Sequence, residues 1–310
     1  MKYLHLFDSK TNHDAVYNGS EYKEPWIACI EENSSTTYDS ETIVKYGDGI
    51  IRKYKSLTNI GDNGDGSIPD PRTNVVEITI GNTVTNIGLH AFNQTHITNI
   101  VIPNSVTRFE SWAFQNCYSL SSITIPDSVT SIGDLVFGNC TSLSSITLPD
   151  SVTWMGSYIF EGCRSLSSIT IPDSVKTMYN YNFNICSNLR NVIIGNKVTT
   201  MGKGNFRYCS SLSSVTIGNS VSSIGESTFY ECTSLSSITI PDAVTSIGTS
   251  AFEKCTNLSS ITCMATNAPT LNDNVFKNIY SNGTLHYPNG SDYSTWLAQL
   301  PSDWKAVADA

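Results

Sequence analysis

Apolar and polar positions recur with a fixed step along most of this chain. Phe114, Phe137, Phe160, Phe183, Phe206, Phe229 and Phe252 lie 23 residues apart, and the same step separates Leu120, Leu143, Leu166, Leu189, Leu212, Leu235 and Leu258. A unit taken to begin at Ile123 reads Ile-Thr-Ile-Pro-Asp-Ser-Val-Thr-Ser-Ile-Gly, then a variable stretch, then Phe-x-x-Cys-x-x-Leu-Ser-Ser. In Ser122-Ile123-Thr124-Ile125 apolar residues alternate with hydroxyl residues, the period-two sign of a strand with one buried face. Pro or Gly followed by Asp or Asn at the fourth and fifth positions ends the strand in a turn. Farther on, Val136, Phe137 and Cys140 stand at i, i+1 and i+4. That spacing fits one buried face of a short helical or 3-10 turn before Leu143 leads into the next strand.

One such cassette cannot bury its own Ile, Val, Phe, Cys and Leu; stacked cassettes turn each position into an internal column. The expected fold is a repeat solenoid, mainly β with short helical turns. An early cassette from Ile78 keeps Phe92 and Ile97 but is one residue short, and a ninth from Ile261 drifts. Nine strands at about 4.8 Å spacing make a rod or arc roughly 40 Å long. Residues 1–74 do not repeat and read as a small β-rich N-terminal module, residues 75–283 as the array, and residues 284–310 as a C-terminal cap. Gly61-Asp62-Asn63-Gly64-Asp65-Gly66 fails the spacing of a calcium loop and reads as linker. Tyr293, Trp296, Leu297, Leu300 and Trp304 fall at roughly helical intervals, as a cover for the open end of the core.

Nine cysteines would ordinarily raise disulfide or zinc chemistry, but seven of them, Cys117, Cys140, Cys163, Cys186, Cys209, Cys232 and Cys255, share the 23-residue step. Tetrahedral zinc needs ligands converging from several directions, and the chain has no paired C-x-x-C. These thiols read as small buried apolar groups. No metal or cofactor is expected.

The unit Leu-Ser-Ser-Ile-Thr-Ile-Pro-Asp-Ser-Val-Thr-Ser-Ile-Gly-x-x-x-Phe-x-x-Cys resembles the BspA-like class of leucine-rich repeats, over about residues 75 to 283. The resemblance implies a leucine-rich-repeat right-handed superhelix and a role in surface adhesion or interaction, as in proteins of anaerobic bacteria and some protozoa. It implies no catalytic residues. A shorter resemblance, Glu21-Tyr22-Lys23-Glu24-Pro25-Trp26 with Glu31-Glu32-Asn33, is to leader segments on proteins of gut anaerobes and their phages.

Charge narrows the partners. Only 15% of residues are charged and the net charge is -9, with 43 serines filling much of the polar surface. An acidic chain lacks the electrostatic footprint of a nucleic-acid binder. No apolar run reaches the length of a spanning helix, so no membrane insertion is expected, and Met1 to Asp8 has no signal-peptide core. Enzyme motifs are missing as well: there is no phosphate loop, H-E-x-x-H or G-x-S-x-G, and His5, His13, His90, His96 and His286 are not set beside a repeated nucleophile.

Positions that vary between cassettes carry the candidate binding surface. The thirteenth position reads His90, Trp112, Leu135, Tyr158, Tyr181, Gly204, Ser227 and Ser250, and lies about 200° around a helical turn from the phenylalanine, hence outward. An aromatic stripe is expected across the first five coils, with Trp154 in an adjacent column. Arg164, Lys176, Arg190, Lys197, Lys203 and Arg207 stand close in sequence with only Asp173 opposing, a candidate basic patch for an acidic glycan or protein. The same cassettes replace Ile with Met155, Met178 and Met201, Gly with Tyr179, and an apolar residue with Asn182 and Asn205, predicting a local change of curvature. The expectation is a non-enzymatic recognition or adhesion protein at a cell surface, binding a host or bacterial surface protein or glycan. The alternative is a phage virion or tail-associated structural protein, with the virion or the cytoplasm as the alternative location.

Overall fold

The computed structural model describes residues 75–309 without a break and, before them, the strand segments 5–7, 16–17, 22–23, 26–28, 41–46, 51–55 and 59–60. The linker reading of residues 61–66 lies outside the described residues.

The 23-residue step becomes a parallel solenoid. One column of strands comes from the Ile-Thr-Ile positions: Ser168–Ile171, Asn191–Ile194 and Ser214–Thr216 pair side by side, and so do Ser237–Ile240, Ser260–Cys263 and Thr284–Pro288. In Ser168–Ile171, Asn191–Ile194 and Ser237–Ile240 the inward residues are buried and the outward ones exposed, as the alternation requires. A second column uses two-residue strands such as Arg108–Phe109 and Ser131–Ile132, each in register with its counterpart one repeat away. At the N-terminal end the first column is closed by Glu41–Tyr46, which pairs antiparallel with both Val75–Thr79 and Ile51–Lys55. The second begins at Asn59–Ile60, parallel to Asn86–Ile87.

Between the second column and the next strand the sequence predicted a helical turn, and the structure has none there: Ser294–Leu297 is the one helix among the described residues. Two residues in every coil instead take positive φ. They stand at the thirteenth position (His90, Trp112, Leu135, Tyr158, Tyr181 and on to Asn274) and four residues later (Gln94, Asn116, Asn139, Ile185, Tyr208 and on to Asn278), with φ between 53° and 62° for the non-glycine residues. A left-handed residue breaks the i to i-4 pattern of a helix. What forms is a third face with its own ladder. In each coil three alternate N–H groups, such as those of Trp112, Phe114 and Asn116, donate to the carbonyls of Asp134, Val136 and Gly138 in the next coil. Three such bonds, 2.6–3.3 Å long, are made at every step from Phe92's coil to Phe276's. The strand columns are less continuous. Between Val101 and Ser168 the first is reduced to a single bridge, Ser122 to Ser145.

The core is correspondingly one-dimensional. Nine phenylalanines, Phe92 to Phe276, stack face to face with centroids 5.1–5.8 Å apart and planes within 23°. Such pairs contribute about 0.5–1.5 kcal/mol each beyond burial. The cysteine column is buried as expected, but each thiol also donates to the phenylalanine carbonyl of the preceding coil: Cys140 to Phe114, Cys163 to Phe137, Cys186 to Phe160, all at 3.1 Å. Buried Asn182 and Asn205 are likewise used. Their Oδ1 atoms accept the N–H groups of Ile159 and Asn182, and the Asn205 amide donates to Gly202 O at 2.9 Å. At the C-terminal side of the stack Trp296 lies 5.4 Å from Phe276, and Trp296, Trp304 and Tyr293 donate to the carbonyls of Pro269, Tyr280 and Ala265.

Candidate functional site

Around Tyr179 the second column carries a seam. The second column is interrupted once, between Trp154–Met155 and Thr177–Met178; both flanks are regular five-stranded sheets. The eleventh position explains why. It is Gly in most coils because neighbouring backbones approach closely there: a Cβ on Gly133 would lie 2.5 Å from Ser111 N, and one on Gly156 2.8 Å from Asp134 N. Tyr179 brings a Cβ and a ring to that position. Glu110 also carries a Cβ there without breaking the pairing, in a coil reached by a 22-residue step. Other bonds are missing at the same seam. The Ser105, Ser128 and Ser151 hydroxyls each donate to a valine carbonyl of the coil before, whereas the buried Ser174 Oγ has no partner.

Over this seam stand two of the few large apolar side chains left open to solvent, Trp154 at 44% and Tyr179 at 42% exposure, with ring centroids 6.3 Å apart and planes tilted by 55°. Their rings do not consume each other's faces by flat stacking. Trp154 was a sequence candidate. Tyr179 was noted as a replacement for Gly, and its partnership with Trp154 follows from the 25-residue separation, one coil plus one alternation of the strand.

The thirteenth-position residues form rows along the third face. His90 stacks on Trp112 at 4.9 Å with planes 4° apart, and Tyr158 on Tyr181 at 5.0 Å and 14°, with Leu135 between the two pairs in the column order. Tyr181 then covers Gly204, where a Cβ would fall 2.3 Å from its ring. All five side chains are half-buried, and the rings of each pair turn a face onto one another. Burial, with the Tyr181 and Glu161 charges adding to it, raises the pKa of the Tyr158 phenol.

The basic residues occupy six different positions of the repeat, so closeness in sequence does not gather them on one row. Lys203 pairs with Glu226 at 2.8 Å. Arg207 lies over the rings of Tyr208 and Tyr230 at 4.6 and 5.3 Å and donates to the Tyr208 hydroxyl. Arg164 and Arg190 are exposed, one beside the cysteine turn and the other before strand Asn191–Ile194. Where the first column thins to one bridge, a cavity of about 420 Å³ opens, lined by Ser122, Thr124, Asp127, Ser145 and Thr147 over Ile123, Ile125 and Ile146.

Among the described residues no three His, Cys, Asp or Glu side chains converge to hold a metal ion, and no helix is long and apolar enough to cross a membrane.

Residues 71–190, 111–232 and 180–294 match the family described as BspA type leucine rich repeat region, in six copies. No curated protein matches the chain. Solved structures similar to it include a leucine rich repeat protein of T. pallidum, 24% identical over 59% of this chain and 78% of that one, with a TM-score of 0.48. A leucine-rich repeat protein from Bacteroides ovatus is 26% identical over 86% and 90% of the two chains, with a TM-score of 0.32. A leucine rich cell surface protein from Faecalibacterium prausnitzii is 22% identical over 87% and 98%, with a TM-score of 0.39.

Proposed function

Because the chain belongs to the BspA type leucine-rich-repeat family, we propose that it is a non-enzymatic recognition protein that binds a protein or glycan partner at a surface through its solenoid wall. The observation that carries this reading is the exposed Trp154–Tyr179 pair on the seam. Solvent-exposed aromatics grouped on an otherwise hydroxyl-rich wall mark contact surfaces, since they release apolar area on binding while their polar tips stay wetted. Across the column Trp154 faces Ser131, a hydroxyl, which favours a partner held by stacking and hydrogen bonds over one held by ion pairs.

The test is a screen of glycans and surface proteins with the whole chain, followed by Trp154→Ala and Tyr179→Ala on whichever ligand is found. Each substitution is expected to weaken binding roughly tenfold or more, as truncation of a buried aromatic anchor does, while Trp112→Ala, whose ring is spent on His90, changes it little. Equal affinity for the wild type and the double variant removes the seam as the contact surface. The class of ligand retained separates a glycan from a protein partner.

A further inference from the structure

The last described strand of the first column is Lys305–Asp309, which pairs in parallel with Thr284–Pro288 and, among the described residues, with no strand on its other side. All five of its residues, Lys-Ala-Val-Ala-Asp, are exposed. The direction of its backbone groups follows from the bonds at either end of the pairing. Lys305 N–H donates to Gly283 O at 2.9 Å, and Asp309 O accepts from Asn289 N–H at 3.0 Å. Residues 305, 307 and 309 thus turn their polar groups toward the neighbouring strand, and Ala306 and Ala308 turn theirs to the open edge. An edge of this kind is a template for another strand.

We propose that this edge pairs with the same edge of a second copy of the chain, antiparallel about a twofold axis through Val307. In that register Ala306 faces Ala308 of the second copy and Ala308 faces its Ala306. Both positions have edge-directed groups, so two hydrogen-bonded pairs exchange four N–H to C=O bonds. Lys305 then faces Asp309 of the other copy at both ends, and Val307 faces Val307. Opposite charges directly across two strands stabilise the pairing, and like charges oppose it. Competing arrangements lose one feature or the other. An in-register parallel pairing sets Lys against Lys and Asp against Asp, and an antiparallel shift of one residue sets edge-directed groups against inward-directed ones. The Asp309 carboxylate also meets His286 Nδ1 of the neighbouring strand at 3.1 Å. A self-complementary contact of this type closes at two copies, joining the four-stranded sheets of both chains into one.

Sedimentation equilibrium of the whole chain tests this. A monomer–dimer equilibrium is expected, and Lys305→Asp and Asp309→Lys are each expected to weaken it roughly tenfold, because each sets like charges across the axis. The double variant, with the charges exchanged, is expected to dimerise again. Ala306→Pro removes an edge-directed N–H while leaving every bond to Thr284–Pro288 in place, and is expected to be monomeric with the denaturation midpoint that the wild-type chain shows when diluted to the monomer. A wild-type chain that stays monomeric at about 1 mM overturns the proposal, and so does an Ala306→Pro chain that dimerises normally. Failure of the exchanged pair to restore association overturns the twofold register even if Ala306→Pro is monomeric.

Discussion

At the scale of the residue, the cysteines join two properties the repeat needs. A thiol is small and apolar enough for a closely packed column, and its S–H reaches the phenylalanine carbonyl of the coil before it. The column itself was legible in the sequence as a period; the donation was not, because a period fixes where a side chain sits without saying which carbonyl it meets. Burial pushes the thiols of Cys140, Cys163, Cys186, Cys209 and Cys232 well above the ordinary 9.0 and that of Cys255 up to about 12. Raised values mean that the folded chain keeps protons the unfolded chain releases. Stability from this source is therefore complete below about pH 9 and declines as pH rises from there toward the folded values, by about 1.4 kcal/mol per pH unit for each thiol. Urea titrations at pH 8, 9.5 and 10.5 should show the decline, with a shallower slope in Cys163→Ala; equal slopes in the two proteins would contradict it.

At the scale of the element, the strands were readable because alternation of Ile with Ser and Thr has one structural meaning over four residues. The third face was misread because Val136, Phe137 and Cys140 at i, i+1 and i+4 are grouped equally well by a helical turn and by a run of tight turns. The discriminating signal lay in the variable residues. Asn116, Asn139, Gly162, Gly204, Asn274 and Asn278 occupy the two left-handed positions, and Asn and Gly are the residues that tolerate them most readily. Likewise the candidate site was legible as single aromatics, but not as a seam, since a seam is a relation between two coils. If the Tyr179 Cβ holds that seam open, Tyr179→Gly lets the coils close. Hydrogen exchange is then expected to slow at the Lys176 and Thr177 amides, and unchanged exchange there would assign the interruption to another residue.

At the scale of the whole molecule, each coil is stabilised by its neighbours, so the ends govern cohesion. Trp296 closes the phenylalanine stack with a fully buried ring. Trp296→Ala is expected to cost about 3–5 kcal/mol, with the coils of Phe276 and Phe252 losing exchange protection before that of Phe114; simultaneous loss along the array would show that the cap acts globally. The ladder of the third face has an electrical consequence as well. The carbonyl of Asp134 and the N–H of Leu135 belong to one peptide unit, which accepts from the coil before and donates to the coil after. Peptides of this kind form three files along the axis, all pointing the same way, whereas the peptides of flanking strands alternate. Each carries a dipole of about 3.5 D, and aligned files of this sort sum to something near half a charge at each pole of a helix. The rod is thus polarised end to end, with its positive pole where the N–H groups of Asn274, Phe276 and Asn278 face the last turn, opposite in chain sense to a helix.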